Sequence, residues 1–300
     1  MSAHPLCRAA RVAAIAALAV TSTVSGAGTA TAASPEEHPV LLSVNRAGIQ
    51  APDSHQGGLV SFRVQTDDPN GRQLQLLRPH DGVSMDQVLR DLADSVSSTP
   101  STAAAGIRAV HGEAEALGGA MVTRQVHEQF TEEVSPGAVY LVDLTALRAD
   151  PAHPVVKTLN LAGTSGQNAN QIRYPDGMVI QQSTEEGPRF QTGTMDHAHL
   201  AYLVHNSSGQ IQEMELRPVV AGTTDDQVQQ YLDEVADGEN PASPFTGPGV
   251  GLGGLSPDHQ AAVQAHGLTP GDYVVLSEVP DETTGMPQAV LGMHKVVTLQ

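Results

Sequence analysis

The 300-residue chain carries 33 acidic and 15 basic residues, a formal charge of −18, with one Cys, no Trp, four Phe and five Tyr. That balance excludes direct nucleic-acid binding, whose affinity comes mostly from basic surface, and disfavours anionic membranes. So few aromatic side chains also argue against a stacking platform for sugars or bases.

The N-terminus predicts an export signal over residues 1–33. Arg8 and Arg11 precede the apolar run Val12–Val20, and Ala30-Thr31-Ala32 supplies small residues for cleavage. The two arginines are not adjacent, which favours the general route over the twin-arginine one. Without that segment 13 basic residues face 33 acidic ones, a formal −20. Cys7 lies within it, so the mature chain is expected to lack any disulfide, thiolate nucleophile or thiolate ligand. Nothing after residue 34 approaches the ~18 continuous apolar residues of a membrane span. The expectation is a secreted, extracellular protein with no membrane span.

From there the chain repeats itself at a spacing of 140 residues. Val64/Val204, Leu76/Leu216, Gly82/Gly222, Asp86/Asp226, Gln87/Gln227, Val88/Val228 and Leu92/Leu232 are identical pairs. The same offset pairs Val156, Thr158 and Leu159 with Val296, Thr298 and Leu299. Solenoid repeats run at roughly 20–50 residues, so this length means two copies of one domain. The expected boundaries are 34–162 for the first domain, 163–170 for a linker and 171–300 for the second.

Each copy is expected to start on a strand: Val60, Phe62 and Val64 alternate with polar residues, as do Leu200, Tyr202 and Val204. Asp67–Gly71 and Asn206–Gly209 read as turns, and Leu74/Leu76 and Met214/Leu216 resume the alternation, together suggesting a β-hairpin. Ser84-Met85-Asp86-Gln87 and Thr224-Asp225-Asp226-Gln227 read as capping boxes. The apolar spacing that follows predicts a helix with one stripe facing a sheet. Ser97–Ala105 and Gly238–Gly254 read as loops. Ser135-Pro136-Gly137 and Thr269-Pro270-Gly271 are turn signals leading into strands at Ala138–Leu144 and Asp272–Glu278, and Val155–Leu161 and Lys295–Gln300 close the copies. For residues 257–267 Ser256-Pro257 suggests a helix start, whereas the repeat argues for a strand. Short strands with one helix per copy imply a mainly β, two-layer sandwich.

Arg72–Arg78 followed by Asp81–Leu89, with Leu268–Tyr273 and Pro287–Thr298, resembles a group of exported bacterial cupredoxin-like domains. The resemblance implies two tandem cupredoxin-like Greek-key β-sandwich domains, each with an inserted short α-helix. Members of that group often carry a His pair before the Leu-x-Leu strand and a Pro-His ahead of the Gly-Met ending. This chain has Arg72-Gln73, Gln212-Glu213 and Pro287-Gln288 there. A blue-copper centre uses two His, one Cys thiolate and a weak axial ligand. These departures therefore speak against copper electron transfer, and Met293 reads as core filler.

Asp196-His197-Ala198-His199, with His205 beyond, is the remaining constellation. Read as extended chain, it turns His197, His199 and His205 to one face, where His197 and His199 are the candidate metal ligands for weak zinc or copper. The alternative is solvated polar residues on an exposed strand. Gly249–Gly254 has the GxGxxG spacing but lacks the strand–helix context of a dinucleotide site and reads as a flexible loop. Glu132-Glu133 and Glu185-Glu186 read as solvated edges, and no GxSxG or HExxH motif is present.

By elimination the sequence indicates a secreted, non-catalytic protein that recognises an extracellular protein or small ligand, with no cofactor beyond weak Zn or Cu. The alternatives are an extracellular metal-binding or copper-handling protein using His and Met, and a secreted hydrolase, which no motif supports.

Overall fold

Two sheets, each continuing from one sequence copy into the other, form the framework. The computed structural model describes residues 39–164, 175–193, 195–199 and 201–300. Residues 1–33 of the expected export signal and 165–170 of the expected linker lie outside them. Glu37–Gln300 cluster as one unit, and Gly163 falls in a strand.

The first copy contributes β1 (Val40–Asn45), β2 (Gly48–Gln50), β3 (Ser54–Gln65), β4 (Arg72–Pro79), β5 (Ala114–Val122), β6 (His127–Val134), β7 (Gly137–Asp143) and β8 (Val156–Thr164). Its helices are α1 (Met85–Ser95), α2 (Pro100–Glu113) and α3 (Leu144–Ala149). The second contributes β9 (Gly177–Thr184), β10 (Gly187–Thr192), β11 (Tyr202–Asn206), β12 (Gln212–Pro218), α4 (Asp225–Ala236), β13 (Val250–Leu255), β14 (Gln260–His266), β15 (Gly271–Leu276) and β16 (His294–Leu299). One sheet runs β2-β1-β3-β6-β14-β11-β9-β10. The other runs β3-β8-β7-β4-β5-β13-β12-β15-β16, where the first residues of β3 pair with β8, so β3 belongs to both sheets. Each copy is thus a Greek-key sandwich with a parallel first pair, β1 with β3 and β9 with β11. The copies meet twice edge to edge, at β5–β13 and at β6–β14.

The alternation read from the sequence sets the interior. Val60, Phe62 and Val64 are buried, and Phe62 stacks on its cross-strand partner Phe130 with ring centroids 4.9 Å apart. Leu74, Leu76, Met214 and Leu216 face them from the second sheet in one core cluster. Residues 257–267 hold strand β14, as the repeat argued.

Four expectations need correction. First, β3 and β4 are not a hairpin, because β3 pairs with β1, β6 and β8 while β4 pairs with β5 and β7. Asp67–Gly71 instead arches from one sheet to the other. Asp68 holds the arch by accepting from the Asn70 amide (3.0 Å) and pairing with Arg72 (2.8 Å) and Arg46 (3.0 Å). Those bonds, the Asn70 amide first, lower its carboxyl to about 2. Period-two alternation reveals which residues point inward but not which strand lies alongside.

Second, most of Ser97–Ala105 is not loop. Helix α2 starts at Pro100, where the missing N–H costs nothing, and runs through the strong helix former Ala at 103–105. Gly106 lets it cross α1 closely, since a Cβ there would lie 2.3 Å from the Ser95 amide. The helix also takes the Gln87 side chain, which donates to Glu113; only Thr224 forms the full reciprocal box, and Ser84 caps alone.

Third, Gly249–Gly254 is largely strand β13, every residue of which is buried. Fourth, the closing strands correspond at 138, not 140. Leu141 pairs with Lys157 in the first copy as Val275 pairs with Lys295 in the second.

The helix stripe is as expected: Val88 and Val228 are fully buried and Leu92 and Leu232 are each 6% exposed. Leu92→Ala and Leu232→Ala should each lower stability in chemical denaturation by about 2–5 kcal/mol. Gln230→Ala, on the exposed side of α4, should stay within about 0.5 kcal/mol.

Candidate functional site

In β4 and β12 the even-numbered residues enter the core, so the odd-numbered ones, Gln73, Gln75, Glu213, Glu215 and Arg217, point to the other face of the sheet. In an ordinary sandwich that face is wet. Here α2 lies over it, and Gln73, Gln75, Glu213 and Glu215 are buried.

The two strands between β4 and β12 carry the glycines that make this possible. Gln75 reaches across β5 into β13, donating to the carbonyls of Gly118 (2.7 Å) and Gly254 (2.9 Å) and accepting from the Gly254 amide (2.8 Å). A Cβ at Gly253 would stand 3.0 Å from that amide oxygen, and one at Gly249 would overlap the Glu215 carboxylate. The repeat equivalents Gln73 and Glu213 then bond to each other, Nε2 to Oε2 at 2.9 Å. Arg148 from α3 donates to the Gln73 side-chain amide oxygen, so the Gln73 amide separates a guanidinium from a carboxylate.

Between this polar floor and the helices lies a cavity of about 740 Å³, lined from both copies. Leu92, Ile107, Val110 and Ile211 form its apolar wall. Removal from water, then the neighbouring Glu215 charge, raises the Glu213 carboxyl to about 7. Arg217 pairs with Glu215 (2.7 Å) and Glu278 (3.3 Å), while Arg72 is held by Asp68 and Asp143. The second copy clasps α2 through a pair between His111 and Glu282 (2.7 Å).

The positions where the resemblance expects histidines are all engaged. Gln212 donates to Gln288, both buried, and Met293 is fully buried with its amide on the Gln288 carbonyl (2.9 Å). Amide side chains bonded to one another, a Gln–Glu pair and a doubly paired Arg do not fit a blue-copper ligand set.

Residues 195–199 are coil and turn, with β11 starting at Tyr202, so strand parity does not gather the three histidines. His197 and His199 nevertheless lie close, ring centroids 5.6 Å apart, and His205 sits separately in β11. Among the described residues no group of three or more His, Cys, Asp or Glu is placed to hold a metal. Glu185, Glu186 and Glu133 are exposed, as expected. Glu132 is not: it is buried and bonded to His259 at 2.9 Å, because it shares the inward parity of Phe130.

That parity also places Glu128 inside the second copy. It is fully buried beside Tyr202, Met214 and His197, next to a void of about 10 Å³, and neither carboxylate oxygen has a hydrogen-bond partner. An apolar flank on an otherwise polar strand is the signal that could have found it.

No family model matches the chain, and no curated protein matches it in sequence. Among solved structures, auracyanin from the photosynthetic bacterium Roseiflexus castenholzii is similar over 41% of this chain and 94% of its own, with 16% identity and a TM-score of 0.26. A copper-containing nitrite reductase from Thermus scotoductus is similar over 88% of this chain and 61% of its own (8% identity, TM-score 0.25). The copper nitrite reductase of Nitrosomonas europaea is similar over 88% and 94% (10%, 0.24). No ligand, metal or reaction transfers at such values. The mainly β, cupredoxin-like Greek-key class rests on the strand order of each copy.

Burial alone pushes the Glu128 carboxyl well above its usual 4.5. A group whose folded pKa is raised contributes stability below the unfolded value that is lost as pH rises through the folded one. Glu128→Gln should therefore match the wild type near pH 4 and exceed its melting temperature at pH 8. Equal pH profiles would show that Glu128 is solvated.

Proposed function

We propose that this chain is a secreted, non-catalytic binding protein that takes a small ligand in the cavity between its two copies. The carrying observation is the cavity itself. A volume of about 740 Å³ with an apolar wall and a few convergent polar groups suits a small organic molecule. Its floor holds carboxylates, amides and guanidinium groups engaged with one another, with no hydroxyl or imidazole hydrogen-bonded as a nucleophile–base pair among the described residues. The carboxylate-bonded imidazoles His259, on Glu132, and His111, on Glu282, have no hydroxyl hydrogen-bonded to the ring among the described residues. Export rests on the segment over residues 1–33, and no helix among the described residues is long and apolar enough to cross a membrane.

The neutral fluorescent probe N-phenyl-1-naphthylamine tests the cavity. It should brighten and shift to the blue with the wild type. Met286→Trp, which places a bulky ring on the cavity lining, should abolish the response while leaving the far-ultraviolet dichroism unchanged. An undiminished response in a folded Met286→Trp protein would put the probe elsewhere and overturn the proposal.

The approach of His197 to His199 favours one second reading, weak metal binding by that pair. His197→Ala with His199→Ala should remove it in calorimetric titration. Stoichiometric zinc binding that survives the double substitution would refute the pair as ligands.

A further inference from the structure

We propose that the ligand of the inter-copy cavity is a small organic cation, a primary amine or guanidinium on an apolar body, with its charged head against Glu213 and its body against Ile107, Val110 and Ile211. This rests on the binding reading above and narrows it to one chemical class.

Charge on the cavity wall carries the inference. Three carboxylates, Glu213, Glu215 and Glu278, meet on the floor. Arg217 is shared by Glu215 and Glu278, and Arg72 is neutralised by Asp68 and Asp143. Arg148 is exposed and donates to the Gln73 side-chain amide; its charge acts on Glu213 through space, without an ion pair between them. Glu213 is therefore a buried carboxylate with hydrogen bonds, from Gln73 and from the Glu278 amide (3.0 Å), but no cation of its own. Each carboxylate oxygen keeps a second lone pair for a further donor. An anionic head would meet this floor with like charge. A bare divalent ion lacks its ligand geometry, since no group of three acidic or imidazole side chains among the described residues is placed for one. The apolar wall requires that the cation carry a hydrocarbon or aromatic body, which buries surface against Ile107, Val110 and Ile211.

Protonation gives the class a signature. The groups facing Glu213 are Glu215 and Arg217 on β12, Glu278 after β15, Gln73 on β4 and Arg148 on α3, and no histidine lines the cavity among the described residues. Burial raises the Glu278 carboxyl as well, and it raises Glu213 to about 7. A cation prefers its ionised form, so affinity should grow as pH rises from 6 to 8, by about tenfold at most.

Benzylamine, benzyl alcohol and benzoate share one aromatic body and differ in head charge. In calorimetric titrations of the wild-type chain, benzylamine should bind at least about tenfold tighter than benzyl alcohol, and benzoate weakest. Only benzylamine should tighten between pH 6 and 8. Glu213→Gln should remove both the preference and the pH dependence while keeping benzyl alcohol binding. If that variant does not fold, the wild-type pH profile decides alone. Equal, pH-independent binding of amine and alcohol overturns the cation class and leaves the cavity reading standing. Failure of all three, together with no response from the naphthylamine probe, overturns both.

Discussion

The structure depends on close backbone approach at the joint between β5 and β13. A Cβ at Gly253 of β13 would stand 3.0 Å from the Gly119 Cα of β5, while Gly119 and Gly251 adopt positive φ and lie against β4 and β12 of their own copies, where a Cβ would fall about 2 Å from the Leu74 or Met214 carbonyl oxygen. With those positions bare, Met121 and Ala120 pair with Gly251 and Leu252, and the second sheet runs unbroken through both copies. The Gln75 side chain can then lie across the joint and bond to backbone on either side of it. The β6–β14 pairing closes the other sheet in the same way. A buried polar group is tolerated only when satisfied, and Gln75, Gln73 and Glu213 satisfy one another or the backbone through this joint.

From that constraint the site follows. Two sandwiches joined edge to edge put the outer faces of β4 and β12 on one continuous surface, with β5 and β13 between them, and helix α2 of the first copy covers it. Repeat-equivalent residues thereby acquire unlike roles. Gln75 is a backbone clamp, whereas Glu215 pairs with Arg217; Gln73 donates, whereas Glu213 accepts. Of the positions at which the resemblance expects histidines, Gln73 and Glu213 tie the copies together, Gln212 and Gln288 bond inside the second copy, and Arg72 is paired inside the first. Metal chemistry and cohesion of the joint compete for the same side chains, and in this chain they serve cohesion.

What was legible in the sequence was local. Alternation at Val60–Val64 and Leu74–Leu76, the caps at Ser84 and Thr224, and the Leu92/Leu232 stripe depend on neighbours within a few residues. What was not legible depends on distant partners. The arch at Asp67–Gly71 looks like a hairpin because the same turn chemistry serves both. The glycines of β13 read as loop because only the opposing β5 explains them. A signal was present there: Leu117-Gly118-Gly119 recurs as Leu252-Gly253-Gly254, at a spacing of 135 that ungapped comparison at 140 passes over. Helix α2 has no counterpart among the described residues of the second copy, so the repeat could not suggest it, and with it went the burial of Glu213.

Strand pairing at β5–β13 and β6–β14 should make the two copies one cooperative body. Native-state hydrogen exchange resolved to single amides tests it most directly. The β13 amides at Gly251, Leu252 and Leu255, paired with the first copy, should exchange only through global unfolding, with the same opening free energy as Phe62 and Phe130 in the first core. Exchange of the β13 amides through a separate, lower-energy opening, with the first core still protected, would show two independent domains and contradict the account.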